Sequence, residues 1–197
     1  MQYLVLSDIH GAVTALEQVF ALTAKMPIER IIILGDNLNH GARNKLPPGY
    51  VPADVVPLLN ARADNIMALR GNCDGDVDGM LFNFPCNAPY LYLTLPQLKG
   101  KMFLTHGHLH DFKSVDGAAQ LGLTLGDVVL SGHTHLPGIT RLDNGLINVN
   151  PGSVGIPRKQ PEGSFGLIDD KELKIVSLSG NVLYRAQFKS GQLVPEL

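Results

Sequence analysis

The sequence predicts a mixed α/β fold built from two packed sheets, and three observations carry that reading. Roughly the first 70 residues alternate apolar, β-branched runs with segments of helical period. That alternation implies parallel strands joined by crossover helices. The second half replaces helices with short apolar runs between turn residues, including the hairpin signal Asp143-Asn144-Gly145. The chain has 197 residues, 45% of them hydrophobic and 17% charged. A chain of that size buries about 70% of its extended surface, and the expected organisation is one domain over residues 1–197.

Taken in order, Tyr3–Leu6 is a short apolar run that breaks at Ser7-Asp8 and reads as a buried strand. Ala12–Lys25 places Val13, Leu16, Val19 and Phe20 at helical spacing and stops before Pro27. Ile31–Leu34 is a second strand, ending at Gly35-Asp36, and Asn37–Pro52 reads as a loop rich in Gly, Pro and Asn. A helix is expected over Pro52–Ala63, with a late start or a kink because Pro57 lies inside it. Ile66–Leu69 is a third strand. Tyr90–Leu95 and Lys101–Thr105 flank a turn at Gly100, and Val128–Ser131 is a further strand. Gly138–Leu142 and Leu146–Val149 form the hairpin; Phe165–Ile168, Leu173–Leu178 and Val182–Lys189 complete a meander.

Composition excludes several function classes. Sixteen basic and 18 acidic residues give a net charge of −2 with no charge block, so no nucleic-acid patch is expected. No apolar run approaches the roughly 20 residues of a membrane span. The segment from Met1 to Asp8 lacks the basic start of a signal peptide. The two cysteines, Cys73 and Cys86, fit neither a redox pair nor a disulfide framework, which points to reduced thiols and a cytoplasmic protein.

The chemistry gathers where strands end. Asp8-Ile9-His10, Gly35-Asp36, Gly71-Asn72-Cys73-Asp74, Thr105-His106-Gly107-His108 and Gly132-His133-Thr134-His135 each follow a predicted strand. In open α/β sheets that edge borders the ligand crevice. Five of the seven histidines lie in these segments; His40 and His110 fall outside them and read as exposed polar residues. Carboxylates brought together repel unless a proton or a cation intervenes. Imidazole, carboxylate and amide oxygen suit Mn, Fe, Zn or Ni. Seven ligands overfill one site but serve two ions, with Asp36 as the natural bridge because a carboxylate has two oxygens.

In this order, Asp8-x-His10, Gly35-Asp36, Gly71-Asn72, His106 and Gly132-His133-x-His135 resemble the calcineurin-like metallophosphoesterases. Gly71-Asn72-Cys73-Asp74, Thr105-His106-Gly107-His108 and Asn150-Pro151-Gly152-Ser153 are similar to the small bacterial YfcE-type phosphodiesterase branch. The resemblance implies a four-layer α/β/β/α sandwich, two mixed sheets flanked by helices. It implies two divalent ions, manganese foremost, with nickel, zinc or iron acceptable. Asp8, His10 and His135 would hold the first ion, Asn72, His106 and His133 the second, and Asp36 both. A hydroxide between the ions would attack the phosphorus of a small phosphodiester, with Asn72 stabilising the charge that develops. Two divalent ions against two carboxylates and a hydroxide leave the centre at about +1, which attracts an anionic ester. The resemblance also suggests a homo-oligomer.

Cys73 departs from the wider superfamily, where a histidine assists the leaving group; a neutral thiol is a weak donor. It reads as a substrate neighbour or as a space-filling residue, and His108 as a possible substrate contact or an ordinary loop histidine. Asp74 is expected to steady the loop or a neighbouring imidazole. Asn150-Pro151-Gly152-Ser153 is expected as a turn walling the cleft, with specificity from loop residues such as Lys45, Tyr50, Phe112 and Arg158. Two rival readings remain: a non-catalytic metal-binding interaction scaffold, and a phosphomonoesterase. All seven ligand positions carry competent side chains, which favours catalysis over the scaffold.

Overall fold

The computed structural model describes residues 1–196. Strands β1 (Tyr3–Leu6), β2 (Arg30–Ile33) and β3 (Ile66–Ala68) run parallel, joined by helices α1 (Val13–Thr23) and α2 (Pro52–Asn60). On the far side of β1 the strands β9 (Ser164–Ile168), β10 (Glu172–Ser177), β11 (Val182–Lys189) and β12 (Gln192–Pro195) follow antiparallel. The resulting seven-stranded sheet has the order β12-β11-β10-β9-β1-β2-β3. The second sheet has five strands in the order β4-β5-β6-β8-β7. They span β4 (Tyr90–Leu93), β5 (Met102–Thr105), β6 (Val128–Ser131), β7 (Gly138–Arg141) and β8 (Ile147–Asn150). Here β5, β6 and β8 are parallel, and β4 and β7 are antiparallel edges. Two short helices, α3 (Asp78–Leu81) and α4 (Val115–Gln120), complete the chain.

Three apolar layers explain why the strands read as unbroken hydrophobic runs: both of their faces are covered. Leu4, Leu6, Ile31 and Ile33 face α1 and α2, meeting Leu16, Val19, Val55 and Leu59. The alternate residues Tyr3, Val5, Ile32 and Leu34 face the second sheet through Met102, Leu104, Val128 and Leu130. Phe103 and Val129 point the other way, onto Ala118 and Leu123 around α4. The architecture is the four-layer sandwich, with helices outside two mixed sheets.

Four local expectations need correction. The second helix starts at Pro52, with no late start. Pro52 occupies the first helical turn, where its missing N–H costs nothing, and Pro57 sits on the exposed face beside exposed Ala53, so the carbonyl it frees meets water. Helices α3 and α4 and strand β12 were not expected. Finally, His40 and His110 are half-buried: His40 packs edge-on against Tyr50 at 5.3 Å and His110 against Tyr90 at 5.2 Å. Among the described residues no helix is long and apolar enough to cross a membrane.

Candidate metal centre

The carboxyl ends of β1, β2 and β3 in one sheet and of β6 in the other open on a shared cleft of about 740 Å³, and the end of β5 adjoins it through His106, 3.3 Å from Asp36. Backbone hydrogen bonds lace the ends together: Asp8 N–H donates to Gly35 O at 3.0 Å, His10 N–H to Asp36 O at 2.9 Å, and Gly132 N–H to His106 O at 3.1 Å. Gly35 (φ +103°) and Gly71 allow the second and third ends to touch backbone to backbone; a Cβ on Gly71 would collide with Asp36 Oδ1. Asp8, His10, Asp36, His133 and His135 all adopt left-handed backbone, with φ between +49° and +67°. That conformation costs about 1–2 kcal/mol for a residue bearing a Cβ. It turns each side chain off its strand direction into the cleft.

The side chains converge with acceptors facing acceptors. His10 Nδ1 donates to Asn39 O at 2.6 Å and His135 Nδ1 to Ile156 O at 2.7 Å. Carbonyl oxygen can only accept, so each Nδ1 carries a proton and each Nε2 is the nitrogen left to face the cleft. The two Nε2 atoms face each other at 3.2 Å. Asp8 Oδ1 lies 3.2 Å from His135 Nε2 and 3.7 Å from His10 Nε2. It is fully buried and receives no hydrogen bond. Asp36 Oδ2 lies between the two groups, 3.8 Å from His10 Nε2 and 3.3 Å from His106 Nε2. His106 Nδ1 is held by Leu34 O at 2.8 Å, and its Nε2 meets Asn72 Oδ1 at 3.0 Å. The His133 ring stands 5.2 Å from that of His106. Such buried acceptors are stable only around protons or cations. Imidazoles anchored through Nδ1 to backbone carbonyls are the usual arrangement of metal-binding histidine. Donor atoms of Asp8, His10 and His135 lie within 4.8 Å of one another, as do those of Asp8, Asp36 and His106. A third such group joins His10, Asp36 and Cys73, so the residues present fit divalent metal.

The metal-free charges follow from the same contacts. Burial opposes charging His106, yet its hydrogen bond to Asp36 and the carboxylates of Asp8 and Asp36 carry it up to about 9. Against its own burial, the contact with His106 holds Asp36 down to about 2. At neutral pH a cation arriving at His106 must therefore displace a proton. Metal affinity is expected to rise with pH by up to about tenfold per unit and to level off near pH 9. The metal-free fold should move the other way. The His106 contribution is complete below its unfolded value near 6.5 and is lost as pH rises through about 9. Chelator competition and thermal melts of chelated protein between pH 6 and 9 read both trends; trends in the same direction would contradict this charge assignment.

Around these groups a ring of supports fixes the loops. Asp74 accepts backbone N–H bonds from Asp36 (2.8 Å), Asn37 (2.8 Å) and Gly71 (2.7 Å), so it steadies two loops and bonds to no imidazole. Asp36 Oδ1 accepts from Cys73 N–H at 2.7 Å. Asp8 Oδ2 accepts from Ser7 Oγ at 2.6 Å and from His133 N–H at 3.0 Å. Asn150 donates to Gly132 O at 2.8 Å, and Ser153 Oγ donates to Asp8 O at 2.7 Å. The turn from Asn150 to Ser153 thus ties the ends of β1 and β6 together. Ser7 is a support that the sequence reading missed, although its place beside Asp8 at a strand end was a signal.

The substrate candidates separate. Cys73 lines the cleft, and burial with the Asp36 carboxylate pushes its thiol up to about 12, so it stands neutral. Cys73→Ser is expected to change turnover by less than about threefold, which steady-state kinetics can check. His108 stands 5.1 Å ring to ring from His106 but lines a separate hollow of about 350 Å³. Of the loop residues expected to set specificity, only Arg158 lines the cleft. Phe112 is buried in the apolar layer around α4, Tyr50 packs on His40, and Lys45 is exposed. Asn39, from the segment Asn37-Leu38-Asn39-His40 that the sequence offered either as site lining or as a Gly/Asn turn, lines the cleft, and so do the unanticipated Arg43 and Asn44. They come from the Gly/Asn-rich loop, where no periodicity indicates which side chain turns inward.

Comparison with known proteins places this arrangement. The family model described as the calcineurin-like phosphoesterase superfamily domain matches residues 1–172. Phosphodiesterase YfcE of Escherichia coli K12 is 42% identical over 179 residues, covering 91% of this chain and 93% of that protein. The solved structure of E. coli YfcE, described as a phosphoesterase, matches with a TM-score of 0.84 and 39% identity, covering 96% of this chain and 100% of the other. Probable metallophosphoesterase YsnB of Bacillus subtilis is 29% identical over 175 residues, 85% of this chain and 83% of that protein. Vps29 of Chaetomium thermophilum shares the fold, with a TM-score of 0.61 at 16% identity over 100% of this chain and 95% of the other. With its family model matching residues 1–172 and a relative at 42% identity along nearly its whole length, the chain belongs to the calcineurin-like phosphoesterase superfamily and is a hydrolase acting on phosphoesters.

Proposed function

We propose that residues 1–197 act as one metal-dependent phosphodiesterase unit with a two-ion centre, manganese being the foremost candidate, in a cytoplasmic setting. The observation that carries this reading is the convergence of imidazole nitrogens and carboxylate oxygens on one spot at the head of an open cleft. Asp8, His10 and His135 would hold one ion, Asn72, His106 and His133 the other, and Asp36 both. When bound, such ions supply Lewis acidity toward phosphoryl oxygen and make water acidic enough to act near neutral pH. Asn72 offers its amide to the phosphoryl oxygens, where charge grows as the ester bond breaks. Asp74, Asn150 and Ser153 keep the loops still, so little reorganisation accompanies that charge movement. No imidazolium stands at Cys73 to protonate a departing alkoxide, so esters with good leaving groups are favoured over poor ones.

The test is hydrolysis of bis-p-nitrophenyl phosphate beside p-nitrophenyl phosphate, after chelation and after return of Mn, Ni, Zn or Mg. Chelation is expected to remove at least about 99% of diester turnover, since the ions contribute several kcal/mol. One or more of these metals should restore it, with monoester cleavage well below diester cleavage. Folded protein inactive with every metal would overturn the enzymatic reading and favour the scaffold. Dominant monoester cleavage would overturn the diester preference.

A further inference from the structure

Two hollows meet at the candidate centre, and their charges differ. The large cleft and the smaller hollow share one lining residue, Asn72, so a diester whose phosphorus lies at Asn72 sends one substituent into each. The smaller hollow, about 350 Å³, is balanced in charge. Its Arg70 is paired with Asp76 at 3.0 Å, Asp74 is saturated by backbone N–H groups, and Pro89 and Leu109 supply apolar wall. The large cleft is not balanced. Arg43 and Arg158 line its mouth, and among the described residues neither has a carboxylate within ion-pair distance. The two loops that carry them are braced across the opening. Arg158 N–H donates to His135 O at 3.2 Å, and its guanidinium reaches Asn44 Oδ1 at 3.5 Å. At about 740 Å³ this cleft holds far more than a phosphoryl group.

We propose that the substrate is an asymmetric phosphodiester whose larger arm carries a second phosphate, bound by Arg43 and Arg158, while its small uncharged arm enters the hollow beside His108 and Leu109. This rests on the phosphodiesterase reading and names the substrate class of that same site. Guanidinium groups present planar forks that match phosphate oxygens, and two unpaired forks at one mouth suit a dianion better than a neutral group. The centre itself takes the scissile phosphate, so the arginines discriminate by what lies beyond it.

The experiment compares thymidine 5′-(p-nitrophenyl phosphate) with the same ester carrying a 3′-phosphate, using manganese-loaded protein. Nitrophenol is the small arm, and the 3′-phosphate is the only difference between the probes. The 3′-phosphorylated ester is expected to show a kcat/KM at least about tenfold higher, chiefly through KM. In Arg43→Ala/Arg158→Ala that ratio should collapse toward unity, and in Arg43→Lys/Arg158→Lys it should recover in part. Equal kcat/KM for the two esters in wild-type protein, or a preference that survives the double alanine variant, overturns the proposal. A parallel titration keeps the inference separate from turnover: chelated protein is titrated calorimetrically with thymidine 3′,5′-bisphosphate and with thymidine 5′-phosphate. If neither ester is cleaved, the phosphodiesterase reading fails. Tighter, arginine-dependent binding of the bisphosphate would then still support the second-phosphate site, and equal affinities would overturn it.

Discussion

Replacing Asp36 with asparagine is expected to lower metal-supported turnover by about 10³-fold or more, matching the several kcal/mol that an ion pair of this kind contributes. The side chain keeps its shape, so the cause is charge and proton direction. Asp36 Oδ1 accepts from Cys73 N–H, while Oδ2 faces His106 Nε2 and His10 Nε2. An amide must turn its NH₂ to one side or the other. One orientation sets N–H against the Cys73 N–H; the other sets N–H where a cation would sit. Either way the negative charge between the two histidines is lost. His133→Ala is expected to have a comparable effect by removing one ligand from the second ion. Circular dichroism should show both variants folded, and elemental analysis should show less than two ions bound. Near-normal metal-dependent turnover in either folded variant would sink the ligand assignment.

Asp74→Ala is expected to be the most destabilising single change near the site while replacing no proposed ligand. Asp74 is 8% exposed, and its carboxylate receives the N–H groups of Asp36, Asn37 and Gly71. Alanine leaves three buried donors without an acceptor, at about 1–3 kcal/mol each. A loss of at least about 3 kcal/mol lowers Tm by roughly 6–12 °C for a chain of this length. Asparagine should rescue only in part, because its NH₂ opposes one of the same donors. Urea and thermal melts of the metal-free variants read this directly. A Tm within two degrees of wild type would mean that the loops hold themselves without the carboxylate.

Much of this was legible in the sequence for a simple reason. The chemistry lies where an apolar run stops, so Ser7-Asp8, Gly35-Asp36 and Gly132-His133 marked a strand end and a cluster member together. The two-sheet sandwich was legible because β6 and β11 have unbroken apolar or alternating patterns, and their bounds match the expected Val128–Ser131 and Val182–Lys189. Helix α3 has four residues and α4 six, too few to display a helical period. Edge strand β12 presents one buried residue, Leu193. His40 and His110 read as solvent-facing because the aromatic rings that cover them, Tyr50 on one and Tyr90 and Phe103 on the other, belong to other segments of the chain. Arg43 and Asn44 lay in a loop without period, where the direction of a side chain is decided by long-range contacts alone.

The left-handed backbone at Asp8, His10, Asp36, His133 and His135 sets local stability against the placement of these side chains. Among the described residues only Lys159 and Ser190 share that conformation outside glycine. The sandwich therefore does not require it, and glycine at any of the five positions would relax the backbone. Selection for stability and selection for chemistry therefore pull these positions in opposite directions, and stabilisation screens of this protein that are blind to activity are expected to recover glycine there.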